Sequence, residues 1–269
     1  MPPYSRGLDE DTTRWSTTES GGVGCDANEL RLQSVSAGYG QQLVLEDVSF
    51  VARVSGVTCI LGKNGTGKST LLGVISGSIQ LARGSIVFGG CDISQCSTRR
   101  RLELGLVHVL QGRSLFKDMT VRENLFLGGY IVRSHKVVRT RIDAVCETLP
   151  ALRKWMGTRA GLLSGGEQRI VEIGRALVAG PKYLLLDEPS IGLAPNTRVA
   201  VFEMLARVAG NGVGMLIVEQ NARAALSISD SCVVLGNGRV ARQVAASELR
   251  SDAALRGVFE VRSSVVHDP

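Results

Sequence analysis

Val57-Thr58-Cys59-Ile60-Leu61-Gly62-Lys63-Asn64-Gly65-Thr66-Gly67-Lys68-Ser69 is the stretch on which the reading of this chain turns. Its first five residues are a short apolar run of the kind that forms a buried strand. The next eight satisfy the pattern Gly-x-x-x-x-Gly-Lys-Ser, and Leu71, Leu72 and Ile75 then recur at helical spacing. Strand, glycine-rich loop and helix in that order give the pattern its phosphate-binding meaning. Glycines let backbone N–H groups converge on phosphate oxygens, and the helix N-terminus adds positive potential. Lys68 is expected to contact the β- and γ-phosphates of a nucleotide, and the Ser69 hydroxyl to ligate Mg²⁺; the loop alone leaves kinases, GTPases, motor ATPases and transport ATPases open. Gly62, Asn64, Gly65, Gly67, Lys68, Ser69 and Thr70 are the candidate nucleotide contacts of this loop.

Working outward, Leu30, Leu32 and Val35 suggest an early strand, and Val44–Val51 and Ile86-Val87-Phe88 two more. Continuous apolar runs return at Tyr183–Leu186 and Met215–Val218, and Asn237-Gly238 between two apolar segments signals a hairpin. Buried strands separated by helices predict an α/β fold. The expectation is a P-loop NTPase core with a mainly parallel sheet and antiparallel β additions, and the charged middle at roughly 114–162 reads as helical. No internal repeat is present.

Of the 269 residues, 32 are glycine, and the formal net charge is +6. The glycines follow no three-residue period, which excludes collagen, and 44% hydrophobic residues exclude wholesale disorder. Residues 1–28 carry a net −3 and no apolar periodicity, so a disordered acidic extension is expected there. One folded domain is expected after that extension, and residues 263–269 are expected to be a flexible tail. None of the six cysteines is spaced as Cys-x-x-Cys, and buried free thiols are expected. The chain shows no secretory signal and no apolar run near the roughly 18 residues of a membrane span. The basic balance brings no recognition helix, zinc finger or RNA-binding strand, so no nucleic-acid partner is expected.

Asp187-Glu188 directly follows the run at 183–186, which puts two carboxylates at the end of a buried strand, where open α/β sheets bind ligands. Asp187 is placed to hold Mg²⁺, and Glu188 to accept a proton from attacking water.

Leu163-Ser164-Gly165-Gly166-Glu167-Gln168 resembles the signature motif of ABC-type ATPases and precedes the acidic motif at that family's distance. A hydroxyl and two glycines at a helix start make a second phosphate site. The resemblance covers about residues 29–262 and implies one ATPase domain there, a P-loop NTPase (RecA-like) core with a helical subdomain inserted at about 112–166. It implies that Ser164, Gly165, Gly166 and Glu167 close over ATP held by a second ATPase subunit. It also implies that Tyr39 stacks on adenine and that Gln111 senses Mg²⁺ and the γ-phosphate. The catalytic set it implies is Glu188, Lys68, Gln111 and Gln220, with Ser69, Gln111 and Asp187 around the metal.

Two departures from the family pattern stand out. Ala194 takes the place of the usual aspartate after the catalytic glutamate, and Gln220 that of the usual histidine. Glutamine can donate to a phosphate but cannot carry a proton or a positive charge. His108, His135 and His267 do not fall at that position. Leu193-Ala194-Pro195, Glu219-Gln220-Asn221 and Gly128-Gly129 after Glu123-Asn124-Leu125 are similar to ATPase subunits of branched-chain amino acid importers, which pair with a non-identical ATPase.

That likeness implies two transmembrane permeases, a second ATPase subunit (a homodimer being the other possibility), an indirect link to an extracytoplasmic binding protein, and a peripheral place on the cytoplasmic membrane face. Urea or short-amide transport is the alternative cargo, and a soluble non-transport ABC ATPase the alternative class. Residues 114–162 hold nine basic and four acidic residues. That excess reads either as a membrane-facing surface or as a solvated arginine-rich face.

Overall fold

The computed structural model describes residues 27–112, 114–251 and 253–255. All but the last two residues of the expected acidic extension, the expected domain end at 262 and the tail at 263–269 lie outside them. In chain order, β1 (Glu29–Tyr39) and β2 (Gln42–Arg53) precede β3 (Val57–Leu61) and α1 (Lys68–Ser76). Then come β4 (Leu81–Phe88), β5 (Cys91–Asp92), α2 (Thr98–Glu103) and β6 (Leu106–Val109). Helices α3 (Val121–Gly128), α4 (His135–Thr148) and α5 (Ala151–Trp155) lead to α6 (Gly165–Val178). After these follow β7 (Tyr183–Asp187), α7 (Pro195–Gly210), β8 (Gly214–Val218), α8 (Ala222–Ile228), β9 (Ser231–Gly236) and β10 (Arg239–Ala245).

Six strands form one sheet in the order β10-β9-β3-β8-β7-β6, parallel except for β10. A second, antiparallel sheet runs β2-β1-β4-β5. This is the expected α/β class, with the parallel sheet and the antiparallel additions both present.

Strand periodicity explains how the layers stack. Side chains alternate across a strand, so a strand buried on both faces serves two cores. In β3, Val57, Cys59 and Leu61 face one cluster while Ile60 faces the other. In β7 the split is Leu184 and Leu186 against Tyr183 and Leu185, and in β8 Met215 and Ile217 against Leu216 and Val218. The first cluster contains α3–α8. The second contains α1 and the antiparallel sheet, so α1 lies between two sheets.

Two local features went unread in the sequence. The alternation of Leu30 and Leu32 slips a residue before Val35, because Ser34 adopts φ 48 and shifts the register of β1 against both neighbours. Strand β6 gave no signal of its own: it has four residues and a polar His108 in the middle. Of the five described cysteines, Cys59, Cys146 and Cys232 are buried as expected, whereas Cys91 is exposed and Cys96 intermediate.

Two stability predictions come from this packing. A Cβ at Gly214 would overlap the Val54 carbonyl oxygen and come within 2.7 Å of the Tyr183 ring. Gly214→Ala should therefore destabilise by about 1–3 kcal/mol, read as a lower urea midpoint at unchanged slope. His108 has a buried Nε2 without a hydrogen-bond partner, and burial pushes its pKa down to about 4. The unfolded chain then binds the extra proton below about pH 6.5, so this residue costs stability as pH falls toward 4. Urea midpoints of wild type and His108→Leu should diverge in the variant's favour between about pH 7 and about pH 5; parallel curves would refute it.

Candidate active site

The loop after β3 is shaped by backbone geometry. Gly65 and Gly67 sit at φ 79 and 96, in the left-handed region that side-chain-bearing residues avoid. Nothing lies within 4 Å of a Cβ built on Gly65, so a side chain there would project into open space that a phosphate could use. Gly62 is needed for packing, since its Cβ would meet the Leu235 carbonyl oxygen at 2.5 Å. Every residue of α1 except Ser69 is buried.

Lys68 is only 5% exposed, and its Nζ donates to the Gly62 and Lys63 carbonyls at 2.9 Å each. Burial lowers its pKa, while the Glu188 and Asp187 carboxylates pull the other way. The ammonium is thus held inside the loop by carbonyl dipoles, with no carboxylate bonded to it. Asp187, 5% exposed, has its pKa raised by burial and accepts a hydrogen bond from Ser69 Oγ at 3.2 Å. Two oxygen ligands side by side suit Mg²⁺, which keeps much of its shell for water and phosphate. No group of three or more His, Cys, Asp or Glu among the described residues offers another metal site.

Glu188 occupies φ 45, an unusual conformation for a residue with a side chain. Its carboxylate is bonded on both oxygens: Gln111 Nε2 donates to Oε2 at 3.0 Å and Gln220 Nε2 to Oε1 at 2.6 Å. Tyr39, Asn64, Gly65, Gly67, Lys68, Ser69, Thr70, Gln111, Glu188 and Gln220 line one cavity of about 370 Å³. Tyr39 is 62% exposed.

The signature residues are not among that lining. Ser164 is the N-cap of α6, and its Oγ donates to Glu167 Oε2 at 2.8 Å in a reciprocal capping box. Ser164 and Gly165 are exposed, whereas Gly166 packs so tightly on Thr197 that a Cβ would overlap it. Ala194 is the N-cap of α7 and makes no side-chain cap. His135 packs edge-on to Phe126 at 5.1 Å, and neither it nor His108 lines the nucleotide-sized cavity; His267 lies outside the described residues.

Sequence reading missed two buried groups around the cavity. Glu219, 3% exposed, accepts backbone N–H bonds from Ser190, Gln220 and Asn221, and so ties the loops after β7 and β8 together. Arg169 pairs with Glu172 at 2.9 Å and donates to the Glu188 carbonyl at 3.2 Å. The available signal was an acidic residue at a strand end for Glu219, and charged residues on the apolar face of α6 for the pair.

A family model described as "ABC transporter" matches residues 45–191. The chain is 38% identical over 230 residues to the high-affinity branched-chain amino acid transport ATP-binding protein BraG of Pseudomonas aeruginosa, covering 86% of this chain and 98% of that one. It is 36% identical over 221 residues to the probable branched-chain amino acid transport ATP-binding protein LivF of Archaeoglobus fulgidus, covering 82% and 93%. The lipopolysaccharide export system ATP-binding protein LptB of Haemophilus influenzae is 30% identical over 234 residues, covering 86% and 96%. The crystal structure of an ATP-binding cassette of an ABC transporter in its ADP conformation superposes with a TM-score of 0.78 at 29% identity, covering 86% of this chain and 98% of that one. With a phosphate loop, an acidic pair and a capped signature helix in one fold, this chain belongs to the ABC transporter family as an ATP-hydrolysing subunit.

Proposed function

We propose that this ATPase energises uptake of branched-chain amino acids through separate permease subunits. The observation that supports this cargo is the 38% and 36% identity to two branched-chain amino acid transport subunits, against 30% to a lipopolysaccharide export subunit. In this reading ATP occupies the cavity lined by Tyr39 and the phosphate loop. Lys68 exchanges its two loop carbonyls for phosphate oxygens, and the charge-assisted bonds gained offset the buried ammonium. Ser69 and Asp187, with Gln111, would hold Mg²⁺, which when bound would neutralise charge on the phosphates. Glu188 takes the proton of the attacking water once Gln111 and Gln220 turn from its carboxylate toward the nucleotide. Gln220 orients the γ-phosphate by donation alone.

The cap at Ser164–Glu167, exposed at Ser164 and Gly165, would meet the nucleotide of a second ATPase subunit, a paralogue or another copy, so that two ATP molecules lie at the interface. Among the described residues no helix is long and apolar enough to cross a membrane. By its likeness to the importer subunits, the proposed place of the subunit is the cytoplasmic membrane face, with two permeases supplying the span and an extracytoplasmic binding protein acting through them. A groove of about 500 Å³ lies between β6, α2, α3 and α6, with Leu110, Phe116 and Tyr130 at its exposed apolar edge; in this reading it is the surface that would meet the permease.

Glu188→Gln should lower ATP turnover by about 10²–10⁴-fold while ATP still raises the thermal midpoint; turnover near wild type would refute the base assignment. In Lys68→Ala the midpoint without nucleotide should hold, because a buried charge is removed, but the rise on adding ATP should vanish. For cargo, the subunit should be reconstituted in vesicles with its permeases and binding protein and supplied with labelled leucine or urea. ATP-dependent accumulation of leucine supports the proposal, and urea uptake without leucine uptake overturns it.

A further inference from the structure

One guanidinium joins three parts of the site. Arg169, the fifth residue of α6, is 6% exposed. Its Nη1 bonds Glu172 Oε2 at 2.9 Å and reaches the carbonyl of Leu110, the residue before Gln111, at 3.5 Å. Its Nη2 donates to the carbonyl of Glu188 at 3.2 Å. On the other side of residue 188, the Glu188 N–H donates to the Val218 carbonyl at 2.9 Å. The peptide that carries the carboxylate is therefore gripped from two directions, in a left-handed conformation that a side-chain-bearing residue keeps only when its surroundings over-determine it.

We propose that Arg169 is the positioning residue of the hydrolytic site. It fixes the backbone on which Glu188 is mounted and the chain entering Gln111, and it makes the aim of both side chains depend on where the first turns of α6 stand. The Ser164 cap opens that same helix, so a phosphate arriving at the cap acts on the base through one rigid side chain. An ion pair to Glu172 three residues on would be satisfied within α6 alone; it does not require a fork that also reaches two other elements. Arginine's planar set of five donors can span these acceptors, whereas a lysine ammonium is a single point charge. The proposal rests on the reading of Glu188 as the base.

The test is steady-state ATP hydrolysis by the full chain carrying Arg169→Lys, Glu172→Gln or Glu188→Gln, with thermal midpoints alongside. Lysine preserves the charge and the pair with Glu172 but loses the bridge. Its kcat should fall about tenfold or more with KM for ATP within about twofold of wild type. Glu172→Gln keeps an acceptor for Arg169 and leaves both carbonyl bonds in place, so it should lose about threefold at most.

The proposal is overturned if Arg169→Lys keeps kcat within about twofold, if KM rises as much as kcat falls, or if Glu172→Gln is the more damaging change. Should Arg169→Lys fail to fold, a tenfold or greater kcat loss in Glu172→Gln still overturns it. A Glu188→Gln variant that hydrolyses ATP removes the base reading itself. One that does not, beside an undiminished Arg169→Lys, removes only this proposal.

Discussion

Helix α1 is buried between two sheets, and only Ser69 of its nine residues is exposed. That confinement sets the rest of the site. A helix held on both sides cannot rock, so its N-terminal N–H groups and the Lys68 ammonium keep a fixed aim. The glycine loop is then the only conformational freedom between β3 and α1, and it is used up by left-handed Gly65 and Gly67. The cost is a cation kept away from bulk water on two carbonyl dipoles, with only the field of the Glu188 and Asp187 carboxylates to support it, and in the proposed reading a phosphate relieves that cost. Binding energy for the substrate is thus prepared in the free protein by the way α1 is packed.

The second half of the site depends on strand ends. β7 and β8 deliver Asp187, Glu188, Glu219 and Gln220 within two residues of their last apolar positions, and Glu219 stitches the two exits together with backbone bonds. Glutamine amides then occupy both oxygens of Glu188. The aim of the carboxylate is set by neighbours that are neutral at every pH, where a histidine at position 220 would have brought a titratable group into contact with it.

Much of this was legible in the sequence because it rests on local patterns. Buried strands wrote themselves as apolar runs at 57–61, 183–186 and 215–218, and the loop chemistry followed directly from Gly62 to Ser69. What stayed hidden depends on tertiary packing. β6 is too short and is broken by His108, so the element that presents Gln111 had no periodicity to show. Arg169 and Glu172 fall on the apolar face of α6, which hints at burial, but nothing in their spacing says that the face packs against residues 110 and 188. The bulge at Ser34 could be seen only as a faltering alternation.

The two cores share a wall. Alternate residues of β3, β7 and β8 belong to different clusters, so a change of side-chain volume in any of these strands is felt on one side as lost packing and on the other as a shifted backbone. Neither core can drift independently, and the loops at the strand ends inherit that rigidity. Room for sequence change is left on surfaces that the wall does not hold, above all the groove bordered by Phe116 and Tyr130 and the solvent face of α4. A chain built this way wears its chemistry plainly and its cargo faintly: the machinery for splitting ATP is pinned from both sides, while the groove proposed to meet the permease lies outside that wall.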